Sequence, residues 1–126
     1  MQELSVYEYA VLRFVPRVDR EEFINIGVVL FCKDKDYLAV KTKLDEQRIK
    51  ALYGKVDLGE LISYVAVFHN IANGNERGGP IACLDLPSRF RWLTAKRSTI
   101  LQISPIHSGL TENPDLTLTS IFNELI

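Results

Sequence analysis

The feature that most restricts the fold is the run INIGVVLFC, from Ile24 to Cys32, which is apolar at nearly every position. A strand with one solvated face alternates apolar and polar residues, so this run predicts a central strand covered on both faces. The stretch from Val6 to Val15 is rich in strand-forming residues, and Pro16 ends it. Residues Tyr37 to Lys43 alternate between two faces. The first half therefore predicts a three-stranded meander.

Two helices are expected after the meander. Asp45 begins a short one that Gly54 ends. From Leu58 to Ala72 apolar residues recur at helical spacing, and Asp57 with Glu60 forms a capping-box-like pair at the start. This longer helix is expected to lie across the sheet.

The second half is interpreted as two loops, a hairpin and a helix. A loop is expected at 73–80, and strands at 89–96 and 99–104 would form a hairpin that turns at Lys96 to Ser98. Another loop leads to a final helix over 116–126. The expected fold is α+β, a mostly antiparallel sheet of about five strands with helices packed on one side.

Length and composition fit one globular domain over residues 1–126, with 47% hydrophobic and 25% charged residues. Cys32 and Cys83 sit among aliphatic neighbours without a second ligand at metal spacing, so we expect buried thiols, no metal site and no cofactor. The N-terminus shows no targeting pattern, and the apolar stretch from Leu61 to Phe68 is far shorter than a bilayer requires. We therefore expect a cytoplasmic protein without membrane contact.

Charge is distributed unevenly. Residues 86–109 carry four cationic side chains and no carboxylate in a chain of formal charge -1, which predicts a positive surface patch. Guanidinium groups present paired donors that match phosphate and carboxylate oxygens. The predicted anion- or partner-binding residues are Arg13, Arg89, Arg91, Arg97, His107 and Asn25, reinforced by Arg17 and Arg20. Alternatively, these arginines lie on solvated faces or pair with Glu8, Glu21, Glu22 and Asp85.

Two polar features have both a structural and a functional interpretation. Asn25 and Gly27 interrupt an apolar strand, where glycine costs about 0.5 to 1 kcal/mol. We favour a structural role, in which Gly27 marks a bulge or makes room for an aromatic ring such as Trp92, over one in which Asn25 and Glu22 face a ligand. Nothing in the spacing requires catalysis.

The two histidines are expected to differ. His69 falls beside core positions of the long helix and is predicted to be structural. His107, in the loop SPIHSG, is better placed for chemistry, and Glu22 could orient it. These two residues are the weak catalytic candidates.

The motif EFINIGV, together with the pattern RFxWLTAxRSTIxQxSPxHxG, resembles the bacterial domain-of-unknown-function family numbered 3037. The similar stretches are residues 7–32 and 89–115. The resemblance implies no activity. Because members are often encoded beside a HipA-like kinase protein, it implies a small partner or regulator of such a protein. Lys96 departs from the family pattern, which has proline after the alanine of WLTA.

Three function classes follow. The favoured one is a non-catalytic binding or regulatory module that contacts a protein partner through a positive face, and self-association is compatible with it. The second is a nucleic-acid or nucleotide-binding module, which a sequence pI near 6.1 disfavours. The third is a small enzyme that acts on a phosphorylated or carboxylated substrate through Arg89, Arg91, Arg97 and His107. The catalytic hypothesis in particular requires these side chains to converge.

Overall fold

A computed structural model describes residues 3–126. The strands and helices follow one another as β1 (Ser5–Phe14), β2 (Ile24–Cys32), β3 (Tyr37–Thr42), α1 (Glu46–Leu52), α2 (Leu58–Asn73), α3 (Gly79–Ala82), α4 (Leu86–Leu93), β4 (Leu101–Ile103), β5 (His107–Thr111) and α5 (Pro114–Leu125). The predicted strands of the meander and both helices that follow it are confirmed. Each of α1 and α2 is preceded by an N-cap aspartate whose carboxylate accepts a hydrogen bond from a backbone N–H of the first turn.

The five strands form one antiparallel sheet in the order β3-β2-β1-β4, with β5 also paired to β1. The ten-residue β1 is long enough for two partners on the same side, so Ser5 to Tyr9 pair with β5 and Leu12 to Phe14 pair with β4. The expected α+β, single-domain fold with a mostly antiparallel sheet is confirmed over the described residues.

Helices cover both faces of the sheet. Val29 and Phe31 of β2 pack in the main core with α2 and α4, whereas Val28, Leu30 and Cys32 pack beneath Leu118 of α5. The expectation that the helices pack on one side is therefore wrong in this respect. Since β2 is apolar at successive positions, each of its faces requires a cover, and α5 supplies the second one.

Residues 89–96 are not a strand, and the predicted hairpin does not form. Asp85 caps α4 by accepting a hydrogen bond from the Ser88 N–H at 2.9 Å. Phe90 and Leu93, three residues apart, are both buried on one side of this helix. The second predicted strand is confirmed as the short β4, but its partner is β1. Lys96 consequently follows a helix and does not lie at a hairpin tip.

The loops contain more regular structure than predicted. The expected loop at 73–80 includes the turn Glu76–Gly78 and the start of α3, and the expected loop after Ser104 contains β5. Among the described residues, no helix combines the length and the apolar character needed to cross a membrane.

A β-bulge interrupts the pairing of β1 with β2. Leu12 lies opposite Gly27, but the next residue, Arg13, lies opposite Asn25, so Ile26 has no opposite residue. A Cβ atom at position 27 would lie only 2.9 Å from the carbonyl oxygen of Lys41. Gly27 therefore allows β3 to approach closely, and it does not make room for Trp92.

Candidate functional site

The predicted arginines do not converge on one place. Arg13 stands between Leu12 and Phe14, whose side chains lie in the core beneath α2 and α4. Because successive side chains of a strand point to opposite faces, Arg13 lies on the other face of the sheet. Arg89 and Arg91 belong to α4, and Arg97 follows it. The sheet thus separates Arg13 from the other three.

Arg89 forms hydrogen bonds inside the molecule. Its Nη1 donates to the carbonyl oxygens of Ile71 and Ala72, both at 3.0 Å, and its Nε donates to Leu84, also at 3.0 Å. The first two carbonyls belong to the last turn of α2, where backbone acceptors lack the usual helical donors, although the Ile71 oxygen also accepts from the capping Gly74 N–H at 3.2 Å. This guanidinium joins the end of α2 to the segment before α4.

Arg91 is exposed to solvent on α4. Its Nη2 donates to Ser88 Oγ at 3.1 Å. The pKa of Asp85 is lowered, first by hydrogen bonding from Ser88 and then by the nearby charges of Arg91 and Arg89. Arg91 therefore balances a helix-capping carboxylate at the surface.

Arg17 and Arg20, which were expected to reinforce the predicted binding residues, are ion-paired. Arg17 contacts Asp19 and Arg20 contacts Glu22, each with an N–O distance of 2.6 Å. Because the Glu22 carboxylate is engaged by Arg20, the structure gives no support to Glu22 as the residue that orients His107.

On the α5 side of the sheet, the Arg13 guanidinium lies 4.2 Å from the Phe23 ring centroid. The Nε of Arg13 and the Oδ1 of Asn25 are buried without a hydrogen-bond partner among the described residues. His107 lies opposite Tyr9 with ring centroids 5.2 Å apart. Tyr9 and Arg13 are four positions apart along β1, or about 13 Å, so His107 does not lie beside Arg13. The sheet separates both from Arg89, Arg91 and Arg97, so these side chains do not form one catalytic pocket.

Arg97 is the predicted residue that borders a substantial cavity. The cavity has a volume of about 430 Å³, lies between α2 and residues 92–101, and is walled by Tyr64, Val67, Phe68, Trp92, Arg97 and Ile100. We call it the Arg97 groove. The Arg97 guanidinium lies 4.5 Å from the Trp92 ring centroid and 5.0 Å from that of Phe68. It donates to the carbonyl oxygens of Trp92 and Leu93, which end α4, and of Ala95, two residues beyond the helix.

Arg97 carries its charge in a partly buried setting where its hydrogen-bond partners are neutral. Burial lowers its pKa, because an apolar setting disfavours the charged form. Its hydrogen-bond acceptors in the described part of the chain are neutral carbonyl groups, and no carboxylate there lies within ion-pair distance. Glu60 also lines the groove, where Tyr64 donates to its carboxylate at 2.7 Å, and this bond raises the pKa of the Tyr64 hydroxyl.

The α2 wall of this groove was not predicted from the sequence. The sequence does indicate an extra apolar surface on α2, because Val67 extends the apolar stripe beyond one helix face. Val67 is 41% exposed on a helix that otherwise packs on the sheet. An apolar residue outside the packing stripe indicates a second contact surface, but its partner in the fold, the segment after α4, cannot be identified from spacing.

The remaining titratable groups have structural settings. His69 Nε2 lies 2.8 Å from Thr42 Oγ1, and burial lowers the pKa of His69. Cys32 is buried as expected, whereas Cys83 is exposed, contrary to expectation. Within residues 3–126, no three His, Cys, Asp or Glu side chains lie close enough together to hold a metal ion.

Comparison with known proteins adds the family. No curated protein and no solved structure matches the chain. A family model described as "Protein of unknown function (DUF3037)" matches residues 9–126. That span includes the meander from Tyr9 onward, both walls of the Arg97 groove and the C-terminal helix. The chain therefore belongs to the DUF3037 family of proteins of unknown function.

Proposed function

We propose that this chain is a non-catalytic binding module whose Arg97 groove takes an apolar segment of a partner protein that bears a carboxylate. The observation that carries this proposal is the Arg97 guanidinium, which contacts the rings of Phe68 and Trp92 at the wall of a mostly apolar groove and has no carboxylate partner among the described residues. The first candidate partner is the HipA-like kinase protein that the family resemblance implies. We also propose a cytoplasmic location, in which an exposed thiol such as Cys83 stays reduced.

The groove offers two separate contributions to binding. Its apolar walls gain about 25 cal/mol for each Å² of apolar surface that a ligand removes from water. A carboxylate beside Arg97 gains charge-assisted hydrogen bonds, each worth about 1.5 to 3 kcal/mol, and offsets the desolvation that lowers the Arg97 pKa. A segment with apolar side chains and one acidic group satisfies both.

A nucleic acid fits the groove less well. Binding to a phosphate backbone relies on several cations along one surface. Arg89 is bonded internally, Arg13 lies on the other face of the sheet, and the formal net charge is -1. The catalytic alternative required Arg89, Arg91, Arg97 and His107 in one pocket, and their separation leaves it without support.

The test uses a matched pair of substitutions on α2. Val67→Asp places a carboxylate in the groove, where it competes for Arg97 and repels an acidic ligand. Ile62→Asp is the control, because Ile62 is 56% exposed on the same helix and does not line the groove. Binding to the purified HipA-like protein is followed through Trp92, the one tryptophan in the chain, or by calorimetry. We expect Val67→Asp to weaken binding at least about tenfold, or about 1.4 kcal/mol, and Ile62→Asp to bind like wild type.

Crosslinking identifies the segment that is bound. Benzoylphenylalanine replaces Val67 in one variant and Ile62 in the other, and the complex is irradiated. We expect Val67 to give the stronger crosslink, to apolar residues next to an aspartate or glutamate. Equal affinity of the two aspartate variants would refute the groove as the binding site. A crosslink to another protein would refute the choice of partner, and binding of short oligonucleotides through Arg97 would favour the nucleic-acid alternative.

A further inference from the structure

The two edges of the sheet are protected very differently. At one edge, every residue of β3 is half-buried, and the strand contains Lys41, whose Nζ lies 5.2 Å from the Phe122 ring centroid. At the other edge, β5 (HSGLT) contains no lysine, acidic residue or proline, and it pairs only with β1 among the described residues. Strands that must remain unpaired usually carry such charges or proline, because an open edge presents backbone donors and acceptors to another strand.

The edge at β5 also collects exposed apolar side chains. The four most exposed large hydrophobic residues of the described chain are Leu116, Leu110, Leu4 and Val6, at 67%, 62%, 59% and 57%. Leu110 lies opposite Val6 across β1 and β5, and Leu110 shares an open hollow with Leu116 at the start of α5. Val6, Leu110 and Leu116 are exposed apolar side chains at this edge, and we call them the β5 edge patch. Such patches are typical of protein interfaces.

We propose that the β5 edge patch binds a second copy of this chain, so that two β5 strands pair antiparallel and the two sheets join into one. A two-fold axis at Gly109 places Ser108 opposite Leu110 of the second copy and His107 opposite Thr111 of the second copy. No two charged side chains of the strand then meet. Residues 106, 108 and 110 share a face, so Leu110 lies diagonal to Leu110 and to Ile106 of the second copy, and Ile106 is 47% exposed.

A second copy suits this edge better than an unlike protein does. The paired strands are uncharged, so they offer nothing to select a partner of opposite charge. The formal net charge of -1 gives two copies little long-range repulsion. A two-fold pairing also covers both open edges at once, and each favourable contact occurs twice. This inference is independent of the proposed function, because neither Leu110 nor Val6 lines the Arg97 groove.

The test measures the mass of the full chain by sedimentation at increasing concentration. Wild type should approach twice the monomer mass. Leu110→Lys brings two like charges to the pair and removes apolar contact, so its dimer dissociation constant should rise by at least about tenfold. Ile62→Lys is the matched control, since Ile62 is 56% exposed on α2 and outside the patch, and it should associate like wild type. Thermal melts check that both variants are folded.

The register is tested by a compensating change. In the proposed pairing, an aspartate at position 108 faces a lysine at position 110 of the second copy. Ser108→Asp with Leu110→Lys should therefore restore most of the association that Leu110→Lys removes. A wild-type chain that remains monomeric at every concentration overturns the proposal, and so does a Leu110→Lys variant that associates like wild type. A double variant that stays monomeric beside a dimeric wild type overturns the Gly109-centred pairing.

Discussion

Arg89 and Arg91 test whether an arginine of α4 stabilises the fold or is dispensable for it. The two residues lie two positions apart on the helix, but they contact different groups. Arg89→Met keeps a long apolar side chain but removes the three hydrogen bonds to Ile71, Ala72 and Leu84. Arg91→Met removes one exposed bond to Ser88. We expect the first substitution to destabilise the fold and the second to leave it nearly unchanged.

The magnitude follows from the bonds. Each hydrogen bond contributes a net of about 0.5 to 1.5 kcal/mol. The three bonds of Arg89 together contribute about 2 to 3 kcal/mol when the exposed bond to Leu84 is counted at the low end. Part of this loss is the cost of leaving the Ala72 carbonyl without the Arg89 donor, whereas the Ile71 carbonyl keeps its bond from the Gly74 N–H. For a domain of 126 residues, 1 kcal/mol corresponds to about 4 °C in Tm. Arg89→Met should therefore lower Tm by about 8 to 12 °C, and Arg91→Met by less than about 2 °C.

Urea unfolding followed by circular dichroism measures both variants, with thermal melts as a second reading. The slope of the unfolding free energy against urea should be unchanged, since the surface exposed on unfolding is nearly the same. If Arg89→Met and Arg91→Met lose equal stability, the guanidinium of Arg89 is not holding the end of α2, and Arg89 returns to the list of candidate binding residues.

Two other predictions concern residues that contact β3. Gly27→Ala should lower the unfolding free energy by about 1 to 3 kcal/mol in urea unfolding, because the new Cβ would lie 2.9 Å from a backbone oxygen of β3. Gly54→Ala, whose new Cβ would have its nearest neighbour at 3.8 Å, should be nearly neutral, and equal costs would contradict the close approach at Gly27. Burial lowers the pKa of His69 below 6.5, so the unfolded chain binds this proton more readily and the unfolding free energy falls as pH drops through 6.5. His69→Gln should make stability less dependent on pH between about pH 7.5 and 5, and an unchanged slope in that range would contradict it.

The sequence predicted the elements in which local pattern and tertiary surroundings agree. The β2 run Ile24–Cys32 was predicted with its observed bounds, because an apolar run of that length suits a central strand. The start of α2 was equally clear, since Asp57 supplies an N-cap that needs no distant partner. In these cases the information that determines the element lies within the element.

The sequence misled where two periodicities fit one short segment. In residues 89–93, Phe90 and Trp92 alternate with arginines as in a strand, yet Phe90 and Leu93 also lie three apart as in a helix. The decisive signal was Asp85, which precedes Pro87 and caps the helix through Ser88. Conversely, β5 is too short and too polar to be recognised, and it forms because β1 extends past β4 and offers an unpaired edge.

The candidate site could not be predicted because arginine serves both to bind ligands and to bond the carbonyl groups at helix C-termini. Arg89 and Arg97 both donate to carbonyl groups at helix C-termini, where backbone acceptors and the helix dipole attract a cation. A cluster of arginines in the sequence therefore indicates helix ends as readily as it indicates a ligand. What sets Arg97 apart is its contact with the rings of both Phe68 and Trp92, which come from different segments and leave the guanidinium at the wall of a groove. A positive patch predicted from composition thus resolves into one arginine whose surroundings favour a ligand and one that ties two segments together.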